Sequence, residues 1–306
     1  MSREQAVVPR AEPRSYYGRP VVKPPVWTPE VPWYFFTGGL TGAAASIALA
    51  AEWRRNEPLA RSARAVAMGA GTISPALLIS DLGRPERFLN MMRVFRPTSP
   101  MSVGSWLLAV AGASNGVAAA WKLLGWFEPL SLPARIAAGL TGPPMTTYTA
   151  ALLANTAIPA WREARRELPF VFAGSAAAAA GGAVAALTPT AHGGPARRVT
   201  VLGAAAEETA MVLMERRLGE LARPYHEGHA LRYGRLARTL TWTGTGLVVF
   251  GGRRSRAAAV AGGAMTIAGS AARRWSVFKA GVASALDPAY TVGPQRARLE
   301  EHDGDR

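Results

Sequence analysis

Between Arg135 and Arg162 the chain carries no charged residue for 26 positions. A stretch of that length crosses a hydrocarbon core of about 30 Å with room for tilt, and this commits the chain to a membrane. The stretch is not plain hydrocarbon. Pro143 and Pro144 interrupt it, and Thr146, Thr147, Tyr148, Thr149, Asn155 and Thr156 put hydroxyls and an amide at membrane depth. Such groups need partners in lipid, and a double proline frees carbonyls that something else must satisfy. Either the stretch is a kinked helix whose polar groups bond to neighbouring helices, or it walls a polar pocket for a small ligand.

The same pattern recurs along the 306 residues, as uncharged runs of Ala, Gly, Leu and Val alternate with short Arg-rich segments. Small side chains keep the mean hydropathy at +0.08, but they let helix backbones approach closely. Residues 1–30 read as an extended, Pro-rich arm without the apolar core of a signal peptide. Spans are expected at 31–51, 65–80, 102–121, 136–161, 168–188, 199–214, 239–252 and 257–272. The fold class is therefore all-α, a polytopic membrane protein of eight transmembrane helices occupying 31–275. An amphipathic segment and mobile tail follow at 276–306. Gly38, Gly39 and Gly42 suit a close helix contact in the first span, and FLNMM at 88–92 suits a short interfacial helix. Residues 219–238, with PYHEGH in the middle, read as a polar loop.

Eight spans put both termini on one side. Lys and Arg number 24 on that side against 11 on the other, so the positive-inside rule places the termini in the cytoplasm. The net charge of +15 is carried by arginines that flank apolar runs, which favours membrane topology over nucleic acid as its explanation.

The absence of cysteine excludes disulfides and thiolate-held iron–sulfur clusters in this chain. His192, His226, His229 and His302 all fall outside the expected spans, which leaves no imidazole to anchor a haem there. No metal site is expected, and HEGH reads as solvated loop. Glu207 and Glu208 lie inside the sixth span, where a carboxylate costs roughly 2.5–3.5 kcal/mol unless it faces protein or water; they handle protons or pack as polar pairs. Asp81, followed by Arg84 and Arg87, is a proton relay or one half of a clamp at a helix end. Tyr148 and Asn155, seven residues apart, share a helix face.

Three stretches resemble one known family when taken together: RPTSPMSVGSW at 96–106, YTAALLANTAIPAW at 148–161 and FKAGVASALDPAYTVGPQR at 278–296. They resemble the NrfD-like family, the polysulfide-reductase-type membrane subunits of bacterial respiratory complexes. The resemblance implies two four-helix up-and-down bundles in the bacterial cytoplasmic membrane. It also implies exchange with a quinone (menaquinone or ubiquinone) without haem. Electrons would pass to or from a 4Fe-4S ferredoxin-type subunit that contacts a molybdopterin or tungstopterin catalytic subunit. By position, Tyr148 matches the family tyrosine that hydrogen-bonds the quinone head group. Where some relatives carry Asn and His in the first span, this chain offers Glu30, Pro32 and Tyr34.

The candidate site is then Tyr148, Glu207, Glu208 and Asp81 for proton-coupled chemistry, with Asn155, Glu30, Tyr34, Thr98 and Ser99 around the head group. The expected function is that of a quinone-reactive subunit, not a complete enzyme. The rivals are a secondary transporter, which also uses broken helices and intramembrane acids, and a passive anchor for its partner.

Overall fold

The computed structural model describes residues 20–81, 86, 88–124 and 128–294. Eleven helices run through them, with no strand among the described residues: α1 (Glu30–Trp53), α2 (Glu57–Asp81), α3 (Phe88–Met91), α4 (Pro100–Leu124), α5 (Glu128–Leu140), α6 (Gly142–Ala154), α7 (Pro159–Glu163), α8 (Leu168–Leu187), α9 (Gly194–Leu218), α10 (Gly228–Gly246) and α11 (Arg256–Leu286). Among the described residues four helices are long and apolar enough to cross a membrane: α1, α2, α4 up to Trp121, and α8, the last with the highest mean hydropathy at 1.8. The chain is a multi-pass membrane protein.

α1 is the central element. It is buried along most of its length and packs against α2, α5, α6, α8 and α11. Its Ala and Gly content makes this possible, because small side chains let several helices reach one backbone at once. Gly42 is the closest such approach: a Cβ there would lie 2.5 Å from the Gly142 carbonyl oxygen and 2.6 Å from Met145 Cβ. α8 is the corresponding element of the second half, touching α9, α11, α1 and α6, while α10 packs on α11.

The long uncharged run is not a single helix. It breaks at Thr141 into α5 and α6, ends at Ala154, and resumes in α7 only after Ile158 has turned extended ahead of Pro159. Proline at 143 cannot donate to the Gly139 carbonyl four residues back. Ser46 of α1 supplies the missing donor, its Oγ bonding to Gly139 O at 2.9 Å, and Thr141 Oγ1 covers Ala137 O at 2.9 Å. The prolines are thus accommodated by a neighbouring helix, as a kinked span requires.

Two segments depart clearly from the sequence reading. Residues 219–238 are not a loop: a 3-10 turn at Gly219–Tyr225 leads into α10, which starts at Gly228. The polar residues there lie on helix faces, and polarity alone does not separate a loop from a helix with one wet side. The last helix does not stop at 272 but continues unbroken to Leu286, capped at its start by Ser255 Oγ accepting from the Ala258 amide at 3.3 Å. Its 31 residues extend about 46 Å, well beyond a hydrocarbon core. Position 275 is therefore mid-helix, and Arg273 and Arg274, counted above among the orienting charges, are buried inside α11.

Gly42→Ala should lower thermal stability in detergent by about 1–3 kcal/mol, because the added methyl meets backbone that cannot move aside. Gly69→Ala in α2, where a Cβ meets nothing within 4 Å, is the control and should be neutral or slightly stabilising. A scanning-calorimetry or fluorescence melt of both variants checks the contrast.

Candidate functional site

Two phenols meet inside the first half of the molecule. Tyr34 enters from the first turns of α1 and Tyr148 from the middle of α6, and their hydroxyls are hydrogen-bonded to each other. The rings stand edge to face with centroids 6.3 Å apart, and the residues are 5% and 9% exposed. Two hydroxyls sharing one hydrogen bond use one proton between them. The accepting phenol keeps its own proton free for a third group.

Tyr148 is seated by a residue that sequence reasoning passed over. A Cβ at Gly104 of α4 would lie 2.5 Å from the Tyr148 ring, so the ring occupies the space a side chain would fill. Gly104 stands in PTSPMSVGSW, and the structure divides that motif into separate tasks. Ser99 Oγ accepts from the Ser102 amide at 3.4 Å, and Pro100 opens α4, a helix start built from a capping serine and a first-turn proline. Ser102 Oγ in turn accepts from the Arg96 amide and donates to the Val94 carbonyl, at 3.0 and 3.1 Å. Thr98 is exposed in the turn. Thr98 and Ser99 shape the loop that delivers Gly104, and neither side chain bonds to the phenols.

The extended arm lies close by. Trp27 stacks on Trp161 of α7 at 5.3 Å and meets Phe35 edge-on at 6.3 Å. Val22 and Trp27 pack on the cluster that contains Tyr34, Tyr148, Trp161 and Phe172. Thr28 donates to Asp81 at the end of α2, so Asp81 holds the arm; Arg84 and Arg87, its expected partners, lie outside the described residues. Trp161 itself is fully buried and donates Nε1–H to Val277 O of α11 at 2.8 Å. Tyr225, in the 3-10 turn, donates to Ala160 O at 3.2 Å. Burial first, and the Glu215 charge second, push its phenol pKa upward, so it stays protonated as a donor. Nearby, Arg217 bonds to Glu167 through Nε and Nη2, both at 2.6 Å, and holds that carboxyl below its ordinary range.

Asn155 does not join the phenols. α6 ends one residue before it, and Asn155 is an exposed C-cap, because the chain must leave the helix to reach Pro159. Glu30 begins α1 with one carboxylate oxygen buried and without a hydrogen bond.

The two glutamates of α9 separate. Glu207, 2% exposed, accepts from Arg273 Nε of α11 at 2.6 Å. Glu208 turns to Arg238 of α10 at 2.9 Å, on a partly exposed side. Beside the buried pair, Arg274 is 1% exposed. Its guanidinium donates to Phe172 O at 2.9 Å and to Phe35 O at 3.5 Å, and lies 3.8 Å over the Phe172 ring. Arg273 and Arg274 were missed by the sequence reading, which placed them just past the end of the span at 257–272. The signal available was an acid pair in one span and a base pair within helical reach of another, since charges at that depth are expected to pair. Among the described residues no group of three His, Asp or Glu side chains could hold a metal ion.

Apolar helices packed around a buried phenol pair and a buried ion pair define a multi-pass membrane protein with polar groups reserved for its interior. A family model described as Polysulphide reductase, NrfD matches residues 21–215, more than half of the chain. The chain belongs to this family and is a membrane subunit of a respiratory oxidoreductase. No curated protein and no solved structure gives a significant match.

Arg273→Met should be strongly destabilising, by about 3–5 kcal/mol, since it strands a buried carboxylate. Combining it with Glu207→Gln should recover much of the loss. Glu208→Gln should cost no more than about 1 kcal/mol, because Arg238 is mostly exposed. Thermal melts of the purified single and double variants measure all three.

Proposed function

We propose that this chain is the quinone-reactive membrane subunit of its complex, and that Tyr148 and Tyr34 together present a proton to the quinone head group. The observation that carries this reading is the hydroxyl–hydroxyl hydrogen bond between two buried phenols on α1 and α6. A quinone carbonyl gains negative charge as the ring is reduced, and a preorganised donor in a dry site stabilises that charge far better than water does. A single phenol would offer one donor that the protein has already used. A paired phenol has one proton spare, and its partner holds the ring in place. Tyr34 thereby takes the position in the first span where some relatives carry Asn and His.

Both rings are buried, so a head group reaches them only when a packed neighbour yields. Residues 22–27 of the arm have no regular secondary structure and lean on the same cluster. They are the neighbour with the least backbone hydrogen bonding to give up. In this reading the arm and the 96–106 loop form the face on which a 4Fe-4S subunit docks, itself joined to a molybdopterin or tungstopterin subunit. Eight crossings in two four-helix bundles would put both termini on that same cytoplasmic side. The Arg273 grip on Glu207 favours polar packing over proton handling for that carboxylate, and the Arg238 contact favours the same for Glu208. Asp81 acts as the arm's anchor.

Tyr148→Phe keeps the ring and removes only the hydroxyl. Losing a hydrogen bond to a developing charge, about 1.5–3 kcal/mol, should slow quinone-coupled turnover roughly ten- to hundredfold. Tyr34→Phe should act in the same direction. Gly104→Ala should do so with both hydroxyls present, because it displaces the Tyr148 ring. Electron transfer to an artificial dye at the partner subunit bypasses the quinone and should survive in all three variants. Unchanged quinone-coupled turnover in both Phe variants would make the pair structural and move the quinone site elsewhere, first towards Glu30.

A further inference from the structure

A cleft of about 790 Å³ opens between α1 and α9, away from the phenol pair. One wall is a single face of α1, where Ala43, Ile47, Ala50 and Arg54 recur at helical spacing. Ala173 and Ala177 of α8 line it as well, and so does Arg198, in the first turns of α9, together with Arg54. Thr146 of α6 also lines it. Thr146 lies two residues from Tyr148, so the cleft and the phenol pair occupy different faces of α6.

The distribution of polar groups in this cleft is one-sided. Thr146 Oγ1 donates to Pro143 O at 2.7 Å and Ser46 Oγ to Gly139 O at 2.9 Å. Asn56, near the mouth, gives its amide to His192 O at 3.1 Å and takes the Leu59 amide at 3.3 Å. These groups are committed to the protein, so the depth of the cleft offers no free donor to a quinone carbonyl or a polar solute. Arg54 and Arg198 are different. Both are exposed, and neither guanidinium has a hydrogen-bond or ion-pair partner among the described residues. Two exposed cations without a partner among the described residues thus line one apolar cleft.

The length of the cleft also points to its occupant. From Ala43 to Arg54 is eleven residues, about 16 Å along the helix, or roughly half of a 30 Å hydrocarbon core. The cleft therefore runs from one membrane surface to the midplane, which is the length of one leaflet. We infer that it is a binding site for one anionic phospholipid, with an acyl chain along the small residues of α1 and α8 and the phosphate between Arg54 and Arg198. A lipid held there fills the seam between α1 and α9, which make little direct contact with each other. The headgroup class is one that carries net negative charge, such as phosphatidylglycerol. A zwitterionic lipid would bring its own ammonium up against the two guanidiniums.

The test uses the full chain purified from membranes with any partner that accompanies it. Native mass spectrometry would follow added phosphatidylglycerol, phosphatidylcholine with the same chains, and glycerophosphoglycerol, which is the first lipid without its chains. Wild type should retain one phosphatidylglycerol and bind it about ten times more tightly than phosphatidylcholine. Arg54→Gln and Arg198→Gln, both surface changes, should each weaken phosphatidylglycerol about fivefold and together abolish the selectivity. Ala50→Phe should block both lipids while leaving the arginines in place. If that variant does not fold, the phosphatidylglycerol-induced rise in melting temperature, present in wild type and absent in the double Gln variant, carries the same information. Equal affinity for the two lipids in wild type would overturn the proposal, as would selectivity that survives in the double variant. Glycerophosphoglycerol binding as tightly as the whole lipid would also overturn it, by showing a phosphate site that ignores the chain.

Discussion

A buried guanidinium holds the two halves of this molecule together. Arg274 leaves α11 and donates to carbonyls of α8 and α1, while the ring of Phe172 covers its face. The adjacent Arg273 reaches α9 through Glu207. Four helices from both halves therefore meet at two consecutive residues. A charge taken out of water is costly unless it is paired and hydrogen-bonded. The carbonyls, the ring and the carboxylate are held at fixed separations by that cost, and the helices that carry them are fixed in turn. The arrangement is sensitive to any slip of α11 along its axis, since a one-residue shift would turn both arginines off their partners.

Small residues make such an interior possible. α1 is the most shared element, and it can be so only because Ala and Gly leave room for α2, α5, α6, α8 and α11 around one backbone. The same property gives the molecule its polar repairs. Ser46 reaches the carbonyl that Pro143 leaves open because Gly42 and Gly142 let α1 and α6 close to backbone contact. The kink in turn sets the direction of α6, and with it the placement of Tyr148 against Gly104 and Tyr34. The phenol pair therefore depends on a proline, a serine and three glycines that do no chemistry.

The polar groups fall into two sets with different surroundings. Tyr34, Tyr148, Trp27 and Asp81 lie where the arm returns to the helices, next to the loop at 96–106. Arg54 caps the far end of α1 and Arg198 lies in the first turns of α9, both lining an apolar cleft. In the first set the two phenols are buried and bonded to each other, while Trp27 and Asp81 are half-buried. The second is exposed and unpaired, as suits a site that recruits a charged headgroup. Helix direction alone separates them, since α1 carries one at its start and the other at its end.

Charge patterning was enough to reveal a membrane protein, because a run without charge has no other stable place once it exceeds the thickness of the lipid. Family membership was legible from three motifs. Gly38, Gly39 and Gly42 announced a close contact, since nothing else explains glycines grouped on a membrane helix. Other features required the fold. Residues 136–161 read as one span because composition does not show which carbonyl a neighbour will repair. Residues 219–238 read as a loop because a helix with one wet face has a loop's composition. Asn155 looked like a companion of Tyr148 by periodicity, but periodicity holds only while the helix continues, and α6 stops at Ala154. Arg273 and Arg274 looked like interfacial residues because their partners, Glu207 and two backbone carbonyls, are far away in the chain. The residues that partition into lipid are a local property of the sequence. Which buried charge meets which partner is decided by how the helices cross, and only the tertiary structure contains that.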